Sequence, residues 1–277
     1  MKNKKKLILV YVLILILSAL FTYPILLTMA NSLRHYATKT PVLFFGKETR
    51  YFENYYFAVV MVPFLRYLSN TMKIVVINVT GCIVFDVIYG YAFARLNAPG
   101  KNLVFKLVML QLMVPFIAIQ IPQFVFFYKI GLMNSYWVFA LNAIAGNAYN
   151  IFMVKQFMAS FPRELEEAAK IDGCGFLRQF IRVVMPCCKP LVVLLFFNAF
   201  LGAWNEYMGP QLYFKSDKYP LSTALFGNLY YMASKPEVPL EPIRLAACLL
   251  FTVPIFILFF FCQKYLVQGI VTTGLKE

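Results

Sequence analysis

Residues 1–29 read MKNKKKLILVYVLILILSALFTYPILLTM, and the fold class turns on this stretch. Residues 7–29 contain no charged side chain. A helix rises about 1.5 Å per residue, so a run of about 20 apolar residues crosses a hydrocarbon layer about 30 Å thick. Lys2, Lys4, Lys5 and Lys6 stand directly before the run. Basic residues followed by apolar ones also open secretory signals. Here the apolar run continues past Phe21 to Leu27 without a small-x-small cleavage site, which predicts an uncleaved anchor helix.

Five further apolar runs of similar length follow, at residues 72–93, 107–127, 136–158, 190–212 and 245–265. The third span, 107–127, contains Pro115 and Pro122, which a neighbouring helix must cover. The expectation is an all-α integral membrane protein with six transmembrane helices. Composition agrees. Of 277 residues, 61% are hydrophobic and 14% are charged, with a mean hydropathy of +0.69. A soluble domain carries about 25% charge, so a soluble enzyme and a disordered chain are both excluded. The organisation expected is an N-terminal helix with an outer segment (1–71), a five-helix core (72–265) and a cytoplasmic tail (266–277). No internal repeat is evident.

The net charge is +14, spread over loops and segment ends with no basic stripe, so nucleic acid is not the expected partner. Lipid headgroups are. Orientation follows from where the basic residues fall. Lys2, Lys4, Lys5 and Lys6, then Arg95, Lys101 and Lys106, then Lys155, Arg163, Lys170, Arg178, Arg182 and Lys189, then Lys264 and Lys276 lie on one side. Together they are more than half of the 26 basic residues. The positive-inside rule makes that side cytoplasmic and places both termini there. His35 is the single histidine, which leaves zinc sites and Ser-His-Asp or Cys-His catalysis without material. The six cysteines form no C-x-x-C and read as reduced structural thiols.

The first outer segment holds residues 57–65, an apolar stretch too short to span and expected at the interface. The last outer loop, about 213–244, reads as irregular, with one short helix at 222–232.

The loop between the fourth and fifth spans, residues 161–190, is the most specific piece. It begins FPRELEEAAKIDG (161–173). Pro162 suits a first helical turn, and Glu164, Glu166 and Glu167 meet the positive end of the helix dipole. Ala168 and Ala169 favour helix and leave room for an approaching surface. Gly173 supplies a left-handed terminus. A second short helix is expected at 176–184, with Phe176, Phe180 and Val184 on one face and Arg178 and Arg182 on another. Pro186 and Pro190 then break the chain. These patterns alone fit either an amphipathic hairpin on the membrane or a docking lever for a cytoplasmic protein.

The run Glu167-Ala168-Ala169, then Asp172-Gly173, then Ile181 and Met185-Pro186, resembles the EAA loop of bacterial ABC importer permeases, with Met185 where leucine is usual. Other segments resemble the carbohydrate-uptake branch, in particular the second membrane subunit of maltose-type systems. They are 91–96 (YAFARL), 131–137 (GLMNSYW), 204–206 (WNE) and 263–269 (QKYLVQG). Asn142 stands where that family often has proline, which implies a straighter fourth span.

This resemblance implies a binding-protein-dependent permease in the bacterial inner membrane. It pairs with a second homologous permease and two cytoplasmic ATPases, which bind ATP and Mg. An extracytoplasmic sugar-binding protein delivers cargo, and the chain itself binds no cofactor or metal. It implies that Glu167, Ala168, Ala169, Asp172, Gly173, Phe176, Phe180 and Pro186 couple to the ATPase. Glu167 is expected to make the charge-assisted contact and Gly173 to set the turn. The chain lacks the G-x-x-x-x-G-K-[ST] phosphate loop, so ATP hydrolysis falls to a partner.

Asp86 and Glu206 lie in apolar runs, where an ionisable group must face protein or a wet cavity. Glu206 belongs to the resembling 204–206 run, so Trp204, Asn205 and Glu206, together with Asp86, are candidate pathway or intersubunit residues. Gln111, Gln120, Asn142, Asn147, Asn150 and Asn198 either line a pathway or join helices by hydrogen bonds. Phe116, Tyr149 and Trp204 are candidate sugar-stacking rings, although the maltose-type resemblance implies a sugar site mainly in the other permease. The competing classes are an autonomous secondary transporter, which would need its ion and substrate site within this chain, and a membrane scaffold or sensor.

Overall fold

The computed structural model describes residues 2–35, 40–47, 49–159, 162–227 and 241–274. Among them the regular structure is helical, with one isolated β-bridge between Arg34 and Thr49. The helices are α1 (Lys2–Ser32), α2 (Glu53–Val60), α3 (Phe64–Gly81), α4 (Val87–Arg95), α5 (Lys101–Leu110), α6 (Phe116–Lys129), α7 (Trp137–Ala145), α8 (Ala148–Ala159), α9 (Glu164–Ile171), α10 (Phe176–Gln179), α11 (Met185–Cys187), α12 (Lys189–Asn205), α13 (Met208–Tyr213), α14 (Leu221–Phe226) and α15 (Glu241–Gly274). A π-helical turn, Cys82–Asp86, joins α3 to α4, and another, Phe180–Val184, follows α10.

Four helices are long and apolar enough to cross a membrane: Lys4–Ser32, Phe64–Arg95, Trp137–Ala159 and Glu241–Leu266. Two bent pairs raise the number to six if each is one span. Lys101–Met113 with Phe116–Lys129 bends by 105°, and Phe180–Cys187 with Lys189–Asn205 by 79°. The apolar surface needs such an environment. Leu9, Leu15 and Phe21 of α1 and Phe260 and Phe261 of α15 are all more than half exposed. Water does not tolerate a continuous sleeve of that kind.

The helix limits differ from the apolar runs for local reasons. The second span begins at Phe64 rather than at residue 72, because Thr71 turns its hydroxyl onto the Tyr67 carbonyl and leaves the ladder unbroken. The third is interrupted at Val114 and Pro115, both extended in ψ, so Pro115 breaks the run while Pro122 stays within α6. The fourth is interrupted at Gly146 (φ 84°), which puts a joint into a span expected to be straighter. The fifth stops at Asn205, since Glu206 turns extended, and α13 follows separately. Residues 57–65 are not one interfacial piece. They are divided between the end of α2 and the start of α3 by a turn that contains Pro63. The helix expected at 222–232 appears as α14, and residues beyond 227 in that stretch lie outside the described residues. Helix continues through the expected tail as far as Gly274.

The chain forms two compact units, residues 1–66 with 224–254, and residues 67–223 with 255–277. In the first unit, buried Asn54 donates from Nδ2 to the carbonyls of Ser32 (2.8 Å) and Arg34 (2.7 Å), which closes the end of α1. Arg34 Nη2 pairs with Glu241 Oε2 at 2.8 Å. In the second unit, α3 and α4 press against α7 and α8. A Cβ built on Gly81 would lie 2.4 Å from Ala143 Cβ, and one on Gly90 would lie 2.4 Å from Val154 Cβ. Small residues permit the backbones to approach this closely, as membrane helix pairs require. Cys82, Val87, Tyr91, Val154, Met158, Val184, Leu191 and Leu195 form the core beside them.

Candidate functional site

Two places in the second unit gather the polar residues. The first is a cavity of about 780 Å³. Gln111 and helix α6 supply one wall with Phe116, Gln120 and Gln123. Helix α7 and the joint after it supply Asn142, Gly146 and Asn147, and α8 supplies Tyr149 and Asn150. Asn78, Cys82 and Asp86 come from the long α3–α4 helix, and Asn198, Gly202 and Glu206 from α12. Gly209 and Tyr213 complete the lining. All six amide residues singled out in the sequence line this space, together with both carboxylates.

Asp86 is 2% exposed and has no cationic partner among the described residues. Its Oδ1 accepts the Asn147 backbone N–H at 2.8 Å, and its Oδ2 accepts Asn150 Nδ2 at 2.8 Å. Asn150 Nδ2 also reaches Cys82 Sγ at 3.3 Å. Asn147 Oδ1 accepts the N–H groups of Tyr149 (3.0 Å) and Asn150 (3.2 Å) and so caps α8. The carboxylate thus sits at the positive end of α8 and is stabilised there by amide dipoles. Gly146 makes this possible. A Cβ there would stand 3.0 Å from Asp86 Oδ1 and 3.1 Å from Tyr89 Cδ2, and its φ lies in the left-handed region. Asp86 is thereby joined to the bundle, one of the two roles an intramembrane carboxylate allows.

Glu206 ends α12. Its Oε1 accepts the Gly209 N–H at 2.8 Å and its backbone carbonyl accepts Ser222 Oγ at 2.6 Å. Asn205 is exposed and bonds back to the Leu201 carbonyl at 2.9 Å. Trp204 is 1% exposed and stacks on Phe200 with centroids 5.3 Å apart, so it packs the core and does not offer a stacking face to the cavity. Phe116 and Tyr149 do line the cavity, and both are more than half exposed. A relay closes one side. The Tyr213 hydroxyl donates to Gln123 Oε1 (3.0 Å), and Gln123 Nε2 donates to Asn142 Oδ1 (2.7 Å).

The second place is the loop after α8. Helix α9 ends in a Schellman motif. The Cys174 N–H reaches the Ala169 carbonyl at 3.0 Å, the Gly173 N–H reaches that of Lys170 at 3.1 Å, and Gly173 has φ 77°. A Cβ on Gly173 would meet no atom within 4 Å, so its requirement for glycine is conformational alone. Glu167, Ala168, Asp172 and Gly173 are exposed, and Ile171 is 87% exposed. Ala169 is buried against the protein. Phe180 turns to the bundle, its ring 4.9 Å from that of Tyr91, and Pro186 is exposed at the start of α11. The Phe176 side chain lies outside the described residues.

The anchor of this loop was not singled out from the sequence. Glu166 Oε1 accepts Arg95 Nε at 2.7 Å, and its Oε2 accepts the Tyr91 hydroxyl at 3.4 Å, with both charged side chains nearly buried. The resembling run 91–96 and the loop are thus parts of one structure. The available signal was the three-residue step from Glu166 to Ala169, which puts both on the inward face of α9, away from Glu167.

At the far end of the long helix, Asn70 Nδ2 donates to the carbonyls of Asp217 (3.1 Å) and Tyr219 (3.2 Å), and the Tyr136 hydroxyl donates to Asn70 Oδ1 (2.9 Å). Lys218 Nζ donates to the Asn134 carbonyl. The 131–137 run is therefore the turn that holds this end together.

Comparison with known proteins places these features. Residues 86–272 match the family described as binding-protein-dependent transport system inner membrane component. The chain is 30% identical over 226 residues to Protein LplC of Bacillus subtilis (strain 168), covering 77% of this chain and 75% of that one. It is 29% identical over 271 residues to the maltodextrin transport system permease protein MdxG of the same organism, covering 96% and 95%. A chain of a bacterial ABC transporter involved in the import of the acidic polysaccharide alginate shares the fold. Its TM-score is 0.83 at 21% identity, and the match covers 96% of this chain and 98% of that one. The chain belongs to the family of binding-protein-dependent transport system inner membrane components, the permeases of ABC importers. It is a multi-pass membrane protein with a transport role, not a catalytic one.

Proposed function

We propose that this chain is one of two permease subunits of an ATP-driven importer for a sugar or oligosaccharide, and that α9 is its coupling element. The observation that carries the coupling role is the nearly buried Arg95–Glu166 pair, which fastens an exposed helix to the end of a membrane-long one. A force applied at Glu167, Ala168 or Ile171 passes through that pair into α4. A soft surface loop has no comparable connection. Gly173 fixes the turn between α9 and α10, and Phe180 packs the second half of the loop against Tyr91.

In this reading each bent helix pair is one span, which makes six, with both termini and the α9 loop cytoplasmic. Residues 1–71 are an anchoring helix with an outer segment, 72–265 the core permease and 266–277 the tail. The partners are a second permease, two ATPases that bind ATP and Mg, an extracytoplasmic binding protein and the surrounding lipid. A carbohydrate cargo is supported by the maltodextrin permease among the relatives.

Native mass spectrometry of the chain, co-produced with its genomic neighbours, tests the class. The expected mass is this chain, one different permease and two ATPase copies. A stable monomer or homodimer with no ATPase, despite confirmed expression, would favour an autonomous transporter or scaffold. Glu167→Ala tests the coupling role. Glu167 is exposed, so insertion is retained while ATPase copurification falls about tenfold, the loss of one charge-assisted contact. Normal copurification and transport would remove Glu167 from that role.

A further inference from the structure

The cavity carries chemistry that bears on the charge of the cargo. Its lining contains two carboxylates, Asp86 and Glu206, and no lysine or arginine. Asp86 accepts from the Asn147 N–H, Asn150 Nδ2 and the Cys82 thiol, and Glu206 uses one oxygen on the Gly209 N–H while the other has no partner among the described residues. Neither carboxyl group has a cationic partner within the lining. In an interior of low dielectric such charges repel an anion far more strongly than they would in water.

The same wall presents groups awaiting a partner. Gln120 lines the cavity, and its carboxamide makes no hydrogen bond within the described residues while remaining open to the cavity's contents. Asn198 also lines the cavity without a hydrogen-bond partner among the described residues, and Asn142 Nδ2 remains free while its Oδ1 is used. A carboxamide offers a donor pair and an acceptor at one site. A sugar hydroxyl needs one of each, whereas a carboxylate needs donors only. Phe116 and Tyr149 present apolar rings in the same space. Amides for hydroxyls and rings for the C–H faces of a pyranose, with two carboxyl groups and no cation, form a coherent set.

We propose that this cavity is a cargo-binding site within this subunit, selective for neutral oligosaccharides over uronate oligomers, with Gln120 and Asn198 as hydroxyl-binding residues. The proposal rests on the importer reading above and adds the site and the charge of its ligand. Glu206 acts on specificity by repulsion and is not needed to hold a neutral sugar.

The test uses the purified complex of both permeases and ATPases in detergent, without the binding protein, whose own selectivity would mask the cavity's. Saturation-transfer NMR detects weak binding and is applied with maltotriose and trigalacturonate as probes at low salt. Maltotriose is expected to give transfer and trigalacturonate at least about tenfold less. Gln120→Ala and Asn198→Ala are expected to weaken the maltotriose signal about fivefold or more each, while ATP hydrolysis shows that the complex is assembled. Glu206→Gln is expected to raise trigalacturonate transfer severalfold relative to that of maltotriose. Equal or stronger trigalacturonate binding to the wild type overturns the proposal. So does the absence of maltotriose binding to an assembled, ATP-hydrolysing complex, or an unchanged maltotriose signal in both amide variants. Failure of the complex to assemble would instead count against the importer reading itself.

Discussion

At two points along the long α3–α4 helix a carboxylate fastens a second element, and the two points differ in chemistry. At the helix end, Glu166 reaches over from α9 and meets the Arg95 guanidinium at 2.7 Å. Inside the bundle, Asp86 reaches from the helix to the start of α8 and meets neutral donors, the N–H groups of Asn147 and Asn150 and the thiol of Cys82. The first arrangement pairs its carboxylate with a cation and the second has none. An ion pair suits a joint that transmits force, because it holds two nearly buried groups in one fixed geometry. A carboxylate held by amide dipoles suits a joint beside a cavity, because the remaining charge acts on whatever enters. The joints also differ in their glycines. Gly146 and Gly173 both have left-handed φ, but Gly146 is walled in by Asp86, Ile151 and Tyr89, and Gly173 faces open space.

The largest expected effect comes from breaking the charged joint. Arg95→Ala leaves the Glu166 carboxylate nearly buried without its cation, which costs about 3–5 kcal/mol where such pairs are broken. The expected result is loss of ATPase copurification with the transmembrane bundle still inserted. The double variant Arg95→Ala with Glu166→Ala recovers part of the thermal stability in detergent. A single variant as stable and as well coupled as the wild type would show that the pair does not hold the loop.

The glycines come next. Gly146→Ala combines left-handed strain with a contact near 3.0 Å to Asp86 Oδ1 and is expected to cost about 2–4 kcal/mol. Gly173→Ala meets nothing and is expected to cost about 1 kcal/mol, the conformational part alone. Thermal unfolding of the two variants, side by side, checks the difference. Equal losses would mean that packing around Gly146 is dispensable.

An effect as small as that of Gly173→Ala is expected at the joint without a cation. Asp86→Asn keeps one acceptor oxygen for the Asn147 N–H and turns an amide toward Asn150, so one hydrogen bond is lost. The cost is about 1–2 kcal/mol, read as a modest drop in melting temperature. A gain in stability would show that the ionised carboxylate is a net burden held there for function, and would strengthen its assignment to the cavity.

Much of this was legible beforehand. Uncharged runs of about 20 residues have few uses outside a bilayer, so the long helices could be located from composition alone. Gly173 could be given its turn because glycine after a helix has a local, conformational meaning. The amides and acids inside apolar runs could be marked as significant because the interior makes them expensive. These properties depend on a residue and its near neighbours, and the sequence by itself determined them.

Tertiary structure decided which marked residues meet. Glu166 and Glu167 look alike on a short helix, and only the approach of Arg95, 71 residues earlier, makes the first an anchor and leaves the second exposed. Trp204 was as plausible a sugar platform as Phe116, until packing against Phe200 turned it away from the cavity. The amides of α6, α7, α8 and α12 are scattered through the sequence, and nothing local says that they face one space. Pair energies depend on distance and on the dielectric between groups, and those are set by how the helices pack.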